Sequence, residues 1–155
     1  MTAIDPDHLR QWIGREHRTE DALNPFPARA LAAALNHRRS PATGDGLLPG
    51  WQWLYFLETP QASATGADGH PKRGGFMPPV PLPRRMFTSG SMEIVRPLQL
   101  GQPAHRRSLI QSVEMKNGKS GPLVFVHLRH ELSQADELCI REQQSFVYRE
   151  MPAAP

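Results

Sequence analysis

The sequence predicts an α+β fold in which a long antiparallel sheet wraps one helix. Three observations carry this. Residues 92–96, 104–115, 123–132 and 137–148 alternate apolar and polar side chains at the period of strands. The last three of these are joined by short turn-forming sequences, which makes neighbouring strands antiparallel. An alanine-rich segment, residues 28–35, is the one strong helix former, and the natural element to cover the apolar side of such a sheet.

Taken in order, Asp5 can cap a short helix reaching Trp12 or Ile13. Thr19, followed by Glu20 and Asp21, marks a second helix start. Pro25 and Pro27 then interrupt, and Ala28-Arg29-Ala30-Leu31-Ala32-Ala33-Ala34-Leu35 forms a helix apolar nearly all round, hence predicted buried. Residues 51–58, Trp-Gln-Trp-Leu-Tyr-Phe-Leu-Glu, favour a strand, with a helical start as the alternative. From Thr59 to Pro83 proline and glycine dominate. Phe76, Met77, Val80 and Leu82 give this segment side chains to pack, so it reads as a long ordered loop, the alternative being a disordered linker. Residues 74–92 deliver Arg84, Arg85 and a small-residue turn, Thr88-Ser89-Gly90-Ser91, into the first of the four strands. Lys116-Asn117-Gly118-Lys119 and Ser133-Gln134-Ala135-Asp136 are hairpin turns, with Asn117-Gly118 supplying positive φ angles. Leu109, Val113 and Met115 share one strand face, and Leu138, Ile140, Phe146 and Tyr148 share another.

The chain of 155 residues has the size of one domain. No apolar run approaches the roughly 20 residues of a membrane span, and the N-terminus lacks a secretory pattern, so the expected compartment is the cytoplasm and no membrane is involved. The lone Cys139 lies in an apolar-polar alternation and is expected as a small buried or half-buried side chain, not a nucleophile. The net charge of +3 is scattered apart from Arg38-Arg39, Arg84-Arg85 and Arg106-Arg107. Without a basic stripe interleaved with aromatics, nucleic acid is not the expected partner. Short arginine pairs suit a few phosphates instead.

Three blocks of sequence then resemble a known family. Gly-Trp-Gln-Trp-Leu-Tyr-Phe-Leu at 50–57, Asp-Gly-His-Pro-Lys-Arg-Gly-Gly-Phe at 68–76 and Pro-Pro-Val-Pro-Leu-Pro-Arg-Arg-Met at 78–86 are similar to the N-terminal, FAS1-like dehydratase half of the MaoC-like hydratases. The hairpin around Lys116 to Val126 and the ending Phe146-Val147-Tyr148-Arg149-Glu150 extend the likeness. The branch is that of mesaconyl-CoA and itaconyl-CoA hydratases and the type 2 hydroxyacyl-thioester dehydratases. The resemblance implies a hot-dog fold and a hydro-lyase that reversibly adds water to an enoyl thioester of coenzyme A or an acyl carrier protein, with no cofactor beyond that carrier. It divides the chain into an N-terminal helical extension (1–18), a hot-dog domain (19–150) and a linker-like tail (151–155). Typical members carry two hot-dog halves, and this chain matches the first, so a second hot-dog subunit or a homo-oligomer is the implied partner.

Such hydration needs a base for water, an acid for the α-carbon and donors for the enolate oxygen. The family supplies the first two from a Gly-Asp-x-Asn-Pro-x-His pattern on the second half, and this chain has no such pattern. Asp68 and His70 are the nearest imitation, a catalytic reading set against a turn formed by Asp68-Gly69 with His70 fixed before Pro71. Arg84 and Arg85 could meet a phosphate or carboxylate with paired hydrogen bonds, or tie the loop to Glu93 or Glu58. Phe76, Met77 and Phe87, with Trp51, Trp53 and Phe56, could line an acyl pocket or simply be core. Ser89 and Gly90 offer small groups beside a thioester. His127 and His130 fall on opposite faces of one strand, and the dispersed histidines have no metal-ligand spacing. Three functional readings result: the binding half of a hydratase, a complete homodimer using Asp68 and His70, and a non-catalytic acyl-thioester binding module.

Overall fold

A computed structural model describes residues 4–119 and 121–151. Five strands form one antiparallel sheet: β1 (Glu16–Asp21), β2 (Arg84–Ile94), β3 (Ala104–Gly118), β4 (Gly121–Gln134) and β5 (Glu137–Arg149), in the spatial order β1-β3-β4-β5-β2. Two helices, α1 (Pro6–Arg10) and α2 (Pro25–Ala34), and two one-turn 3-10 helices at Trp51–Leu54 and Ala62–Ala64 complete the fold. This is the α+β hot-dog arrangement expected from the alternation, and the three longest strands lie where the sequence puts them.

Several expectations are corrected. Thr19, Glu20 and Asp21 start no helix. They end β1, which pairs along its whole length with β3 from Glu16↔Leu109 to Asp21↔Ala104, so the expected boundary between residues 18 and 19 falls inside a strand. Pro25 and Pro27 do not precede the helix but open it. Asn24 caps it by accepting from the Phe26 amide at 2.9 Å, and a proline at the first position costs no hydrogen bond. The helix is not buried all round: Ala28 and Ala32 face the core, while Phe26 and Leu35 are 66% and 61% exposed. Residues 51–54 form a 3-10 turn rather than a strand, entered through Gly50 at φ +85°. β2 begins at Arg84, so Thr88-Ser89-Gly90-Ser91 is strand, with a bulge between Phe87 and Ser89.

The first hairpin closes at the pair Gly118↔Gly121, two residues beyond the expected turn. The positive φ belongs to Gly121, at +109°, not to Asn117 or Gly118; Ser120 lies outside the described residues. The second hairpin turns through Ala135 and Asp136, both at positive φ, which is the twist a two-residue loop requires. A bulge between Ile110 and Ser112 shifts the phase of β3, so Ile110 and Val113 share the buried face, without Leu109, and Met115 is exposed. The tail beyond Met151 is outside the described residues.

Candidate functional site

The inner face of the sheet is apolar at both ends and polar between them. At one end Ile110, Val113, Val124, Val126, Leu128 and Tyr148 pack with Leu9, Trp12, Val80 and Leu82. At the other, Ala104, Leu132 and Ile140 pack with Ala28, Tyr55, Phe56, Leu98 and Leu100. In the middle, the register aligns Ser108 of β3, His130 of β4 and Glu142 of β5 in one row, all buried.

Every member of that row is held. Ser108 Oγ lies 2.7 Å from His130 Nδ1. Trp53 Nε1 and Gln144 Nε2 both donate to Glu142 Oε1, at 2.9 and 2.7 Å. Burial holds the His130 imidazole below its ordinary pKa. Glu142 and the acceptor oxygen of Gln144 pull it back up, and Arg106 pushes it further down. Ser108 holds the ring at Nδ1.

A cavity of about 710 Å³ lies over this band. Ser108, His130, Glu142 and Gln144 form its floor, and side chains of residues 52–60 and 69–77 form its walls. The first wall depends on Phe56, whose φ is +56°. Asp21 Oδ2 accepts from its amide at 2.9 Å and Arg106 Nη2 donates to its carbonyl at 3.1 Å, which fixes this bend. In the second wall, Arg73 gathers the proline-rich approach to β2. Its Nη1 donates to the carbonyls of Val80 and Leu82, its Nη2 to Pro83, and its guanidinium stands 4.7 Å over the Tyr148 ring.

Of the residues singled out in the sequence, Phe76, Met77, Phe87, Arg85 and His70 line this cavity. Arg84, Ser89 and Gly90 do not. They lie on β2 and are exposed, and a Cβ on Gly90 would come within 2.9 Å of the Phe87 ring. Glu93 pairs with Arg141 and Glu58 with His17, so neither ties the arginine pair down. Asp68 accepts from the His70 amide at 3.2 Å and faces Arg73 Nη2 at 3.5 Å, within a turn closed by the Gly69 amide on the Gly66 carbonyl. Burial raises its pKa, but the His70 amide, Arg85 and Arg73 outweigh that and hold the carboxyl below its ordinary value. Its partners make it a turn former. His127 lies on the opposite face of β4 from His130 and contacts Ser145 Oγ at 2.7 Å. Cys139 is free and buried. Among the described residues no cluster of His, Cys, Asp or Glu could hold a metal, and no helix is long and apolar enough to cross a membrane.

Sequence reading missed Ser108, Glu142 and Gln144, and it noted Arg106 in an arginine pair and His130 beside His127 without placing either in a site. One signal was present: His130 shares the strand phase of Leu128 and Leu132, an unusual place for an imidazole.

The family model of the hydroxyacyl-thioester dehydratases, type 2, matches residues 50–155. The chain belongs to that family. It thereby joins the MaoC-like hydratases and dehydratases expected from its motifs. This type 2 family member is 46% identical over 145 residues to the mesaconyl-C(4)-CoA hydratase of Chloroflexus aurantiacus, a match covering 93% of the chain and 51% of the relative. The chain thus spans about half the length of the curated relative it matches. Among solved structures it resembles a chain of the ChsH1–ChsH2 complex from Mycobacterium tuberculosis, with a TM-score of 0.64, 13% identity and 90% of each chain covered, a likeness of fold.

Proposed function

We propose that this chain is the acyl-binding half of an enoyl-thioester hydratase or 3-hydroxyacyl-thioester dehydratase, with the acid-base pair contributed by a second hot-dog half. Water adds at the β-carbon of the enoyl thioester as a base removes its proton, and an acid protonates the α-carbon; dehydration runs the same steps backward. The carrier is coenzyme A or an acyl carrier protein, and the compartment is the cytoplasm. The observation that carries the reading is the cavity itself, large enough for an acyl group and walled by Phe56, Phe76, Met77 and Phe146, in a chain without the Gly-Asp-x-Asn-Pro-x-His pattern. His130 is held by Ser108 at Nδ1, and Asp68 accepts from the His70 amide within its turn.

The need for a partner is supported by β2, an edge strand of eleven residues with Phe87, Met92 and Ile94 exposed along it. An unpaired apolar edge of that length is a template for another strand. The double length of the Chloroflexus relative leaves room for the second half.

The test is to follow the enoyl-thioester absorbance of crotonyl-, mesaconyl- and itaconyl-coenzyme A with the purified chain, alone and with a second hot-dog subunit. No turnover alone and restored turnover with the partner is the expected result. Turnover by the chain alone would overturn the half-enzyme reading and direct attention to His70 and His130. Binding without turnover under any partner condition would make it a binding module.

A further inference from the structure

We infer that Arg106 docks a second negative charge on the acyl group, so that the cavity selects thioesters whose acyl part ends in a carboxylate. This rests on the acyl-thioester reading above and deepens it.

Arg106 stands on the inner face of β3, two residues from Ser108, and lines the cavity. Its guanidinium lies 5.4 Å from the centre of the Phe56 ring, and its Nη2 bonds the Phe56 carbonyl. Its Nε is buried with no hydrogen-bond partner. Among the described residues no carboxylate lies within ion-pair distance of it. The two nearest in effect, Glu58 and Glu142, are engaged by His17 at 3.4 Å and by Trp53 and Gln144. By contrast Arg107 of the same strand pairs with Glu16 and Glu131, and Arg141 of β5 pairs with Glu93. A buried guanidinium stays charged, and leaving it without a counter-ion is costly. Here the missing counter-ion faces a cavity, not solvent, and a carboxylate fits its paired donors.

The position selects a carboxylate on the acyl group over the phosphates of the carrier. Arg106 sits opposite Leu132, which faces Ile140 of β5, whereas Arg85 sits opposite Tyr148 of the same strand. Those two places on β5 are eight residues apart, roughly 25 Å of strand. At the Arg85 end the cavity meets exposed His70 and Lys72, a cationic mouth able to take bulky phosphates. The Arg106 end is lined by the buried Tyr55, Phe56, Leu132 and His130, a narrower setting that suits a compact anion.

The experiment is calorimetric titration of the chain with mesaconyl-C(4)-coenzyme A and with 3-methylcrotonyl-coenzyme A, which has a methyl group in place of the carboxylate. The expected result is that the wild-type chain binds the first about tenfold more tightly, the scale of hydrogen bonds to a charged group. Arg106→Met should abolish that preference, read as the ratio of the two affinities, because loss of the bond to the Phe56 carbonyl weakens both thioesters alike whereas loss of the charge weakens only the first. Thermal melting checks that the variant folds. If Arg106→Met fails to fold, Arg106→Lys decides, with a preference reduced several-fold because a point charge lacks the paired donors. Equal binding of both thioesters by the wild type, or a preference unchanged in the variant, overturns the carboxylate inference and leaves the acyl-thioester reading standing. No binding of either thioester overturns both.

Discussion

The ends and the middle of one sheet face are built from the same three strands, yet they do opposite things. At the ends, Ile110, Val126 and Tyr148, and across from them Leu132 and Ile140, are packed away from solvent and hold the sheet to the segments above it. In the middle, Ser108, His130 and Glu142 occupy equally buried positions but need hydrogen bonds from Trp53 and Gln144 to be tolerated there. A band of leucines would fill those positions at lower cost. Gln52 Oε1 and Arg106 Nε, both in cavity-lining side chains, remain without partners. Polar groups placed inside at a net loss, with valences left over beside an open volume, mark where this fold gives up stability for recognition.

That contrast can be broken by substitution. The largest effect belongs to an apolar end: Leu132→Ala, at a side chain 1% exposed, should destabilise the chain by about 2–5 kcal/mol in urea unfolding. A smaller loss is expected in the polar middle. Glu142→Ala strands the Trp53 indole and Gln144 amide donors and should cost about 1–3 kcal/mol, while Glu142→Gln keeps an acceptor and should cost less. If Glu142→Ala proved the more damaging of the two alanine variants, the band would be the fold's keystone and the distinction would collapse.

The smallest effect is in pH dependence. Burial depresses the folded-state pKa of His130, so below the ordinary value near 6.5 the unfolded chain takes up a proton that the folded chain refuses. Stability contributed by the neutral ring is therefore complete above that pH and falls as pH drops, until the lower folded pKa is reached. Glu142, Arg106 and Gln144 are the groups that tune this ring. Urea midpoints at pH 7.5 and 5.5 should differ more in the wild type than in His130→Gln; equal differences would mean that the imidazole is not held neutral.

The strands were legible because Val124, Val126, Leu128 and Leu132 keep one phase, broken by His130 alone. The phase of β3 was not, because the bulge after Ile110 leaves no mark in the sequence and turns Met115 outward. β1 escaped notice since Glu-His-Arg-Thr-Glu-Asp has no apolar residue to set a period, and pairing with β3 alone makes it a strand. α2 was placed but judged too buried, because alanine counts as apolar while only two of its alanines touch the core. Phe76 and Met77 could be picked out, with Val80 and Leu82, as the large apolar side chains of a loop dominated by proline and glycine. Ser108, His130 and Glu142 could not be grouped, since a row across three strands exists only once two registers are known.

The clamp at Arg73 has a further consequence. Pro78, Pro79, Pro81 and Pro83 have no amide hydrogen to give, so the segment they stiffen cannot anchor itself by pairing as a strand would. One guanidinium does so by collecting three of its carbonyls. A stiff segment loses little conformational freedom when it settles. The neighbouring Phe76 and Met77, which do line the cavity, are thereby held as a wall already in position, so a ligand entering there expends none of its interaction energy on arranging it.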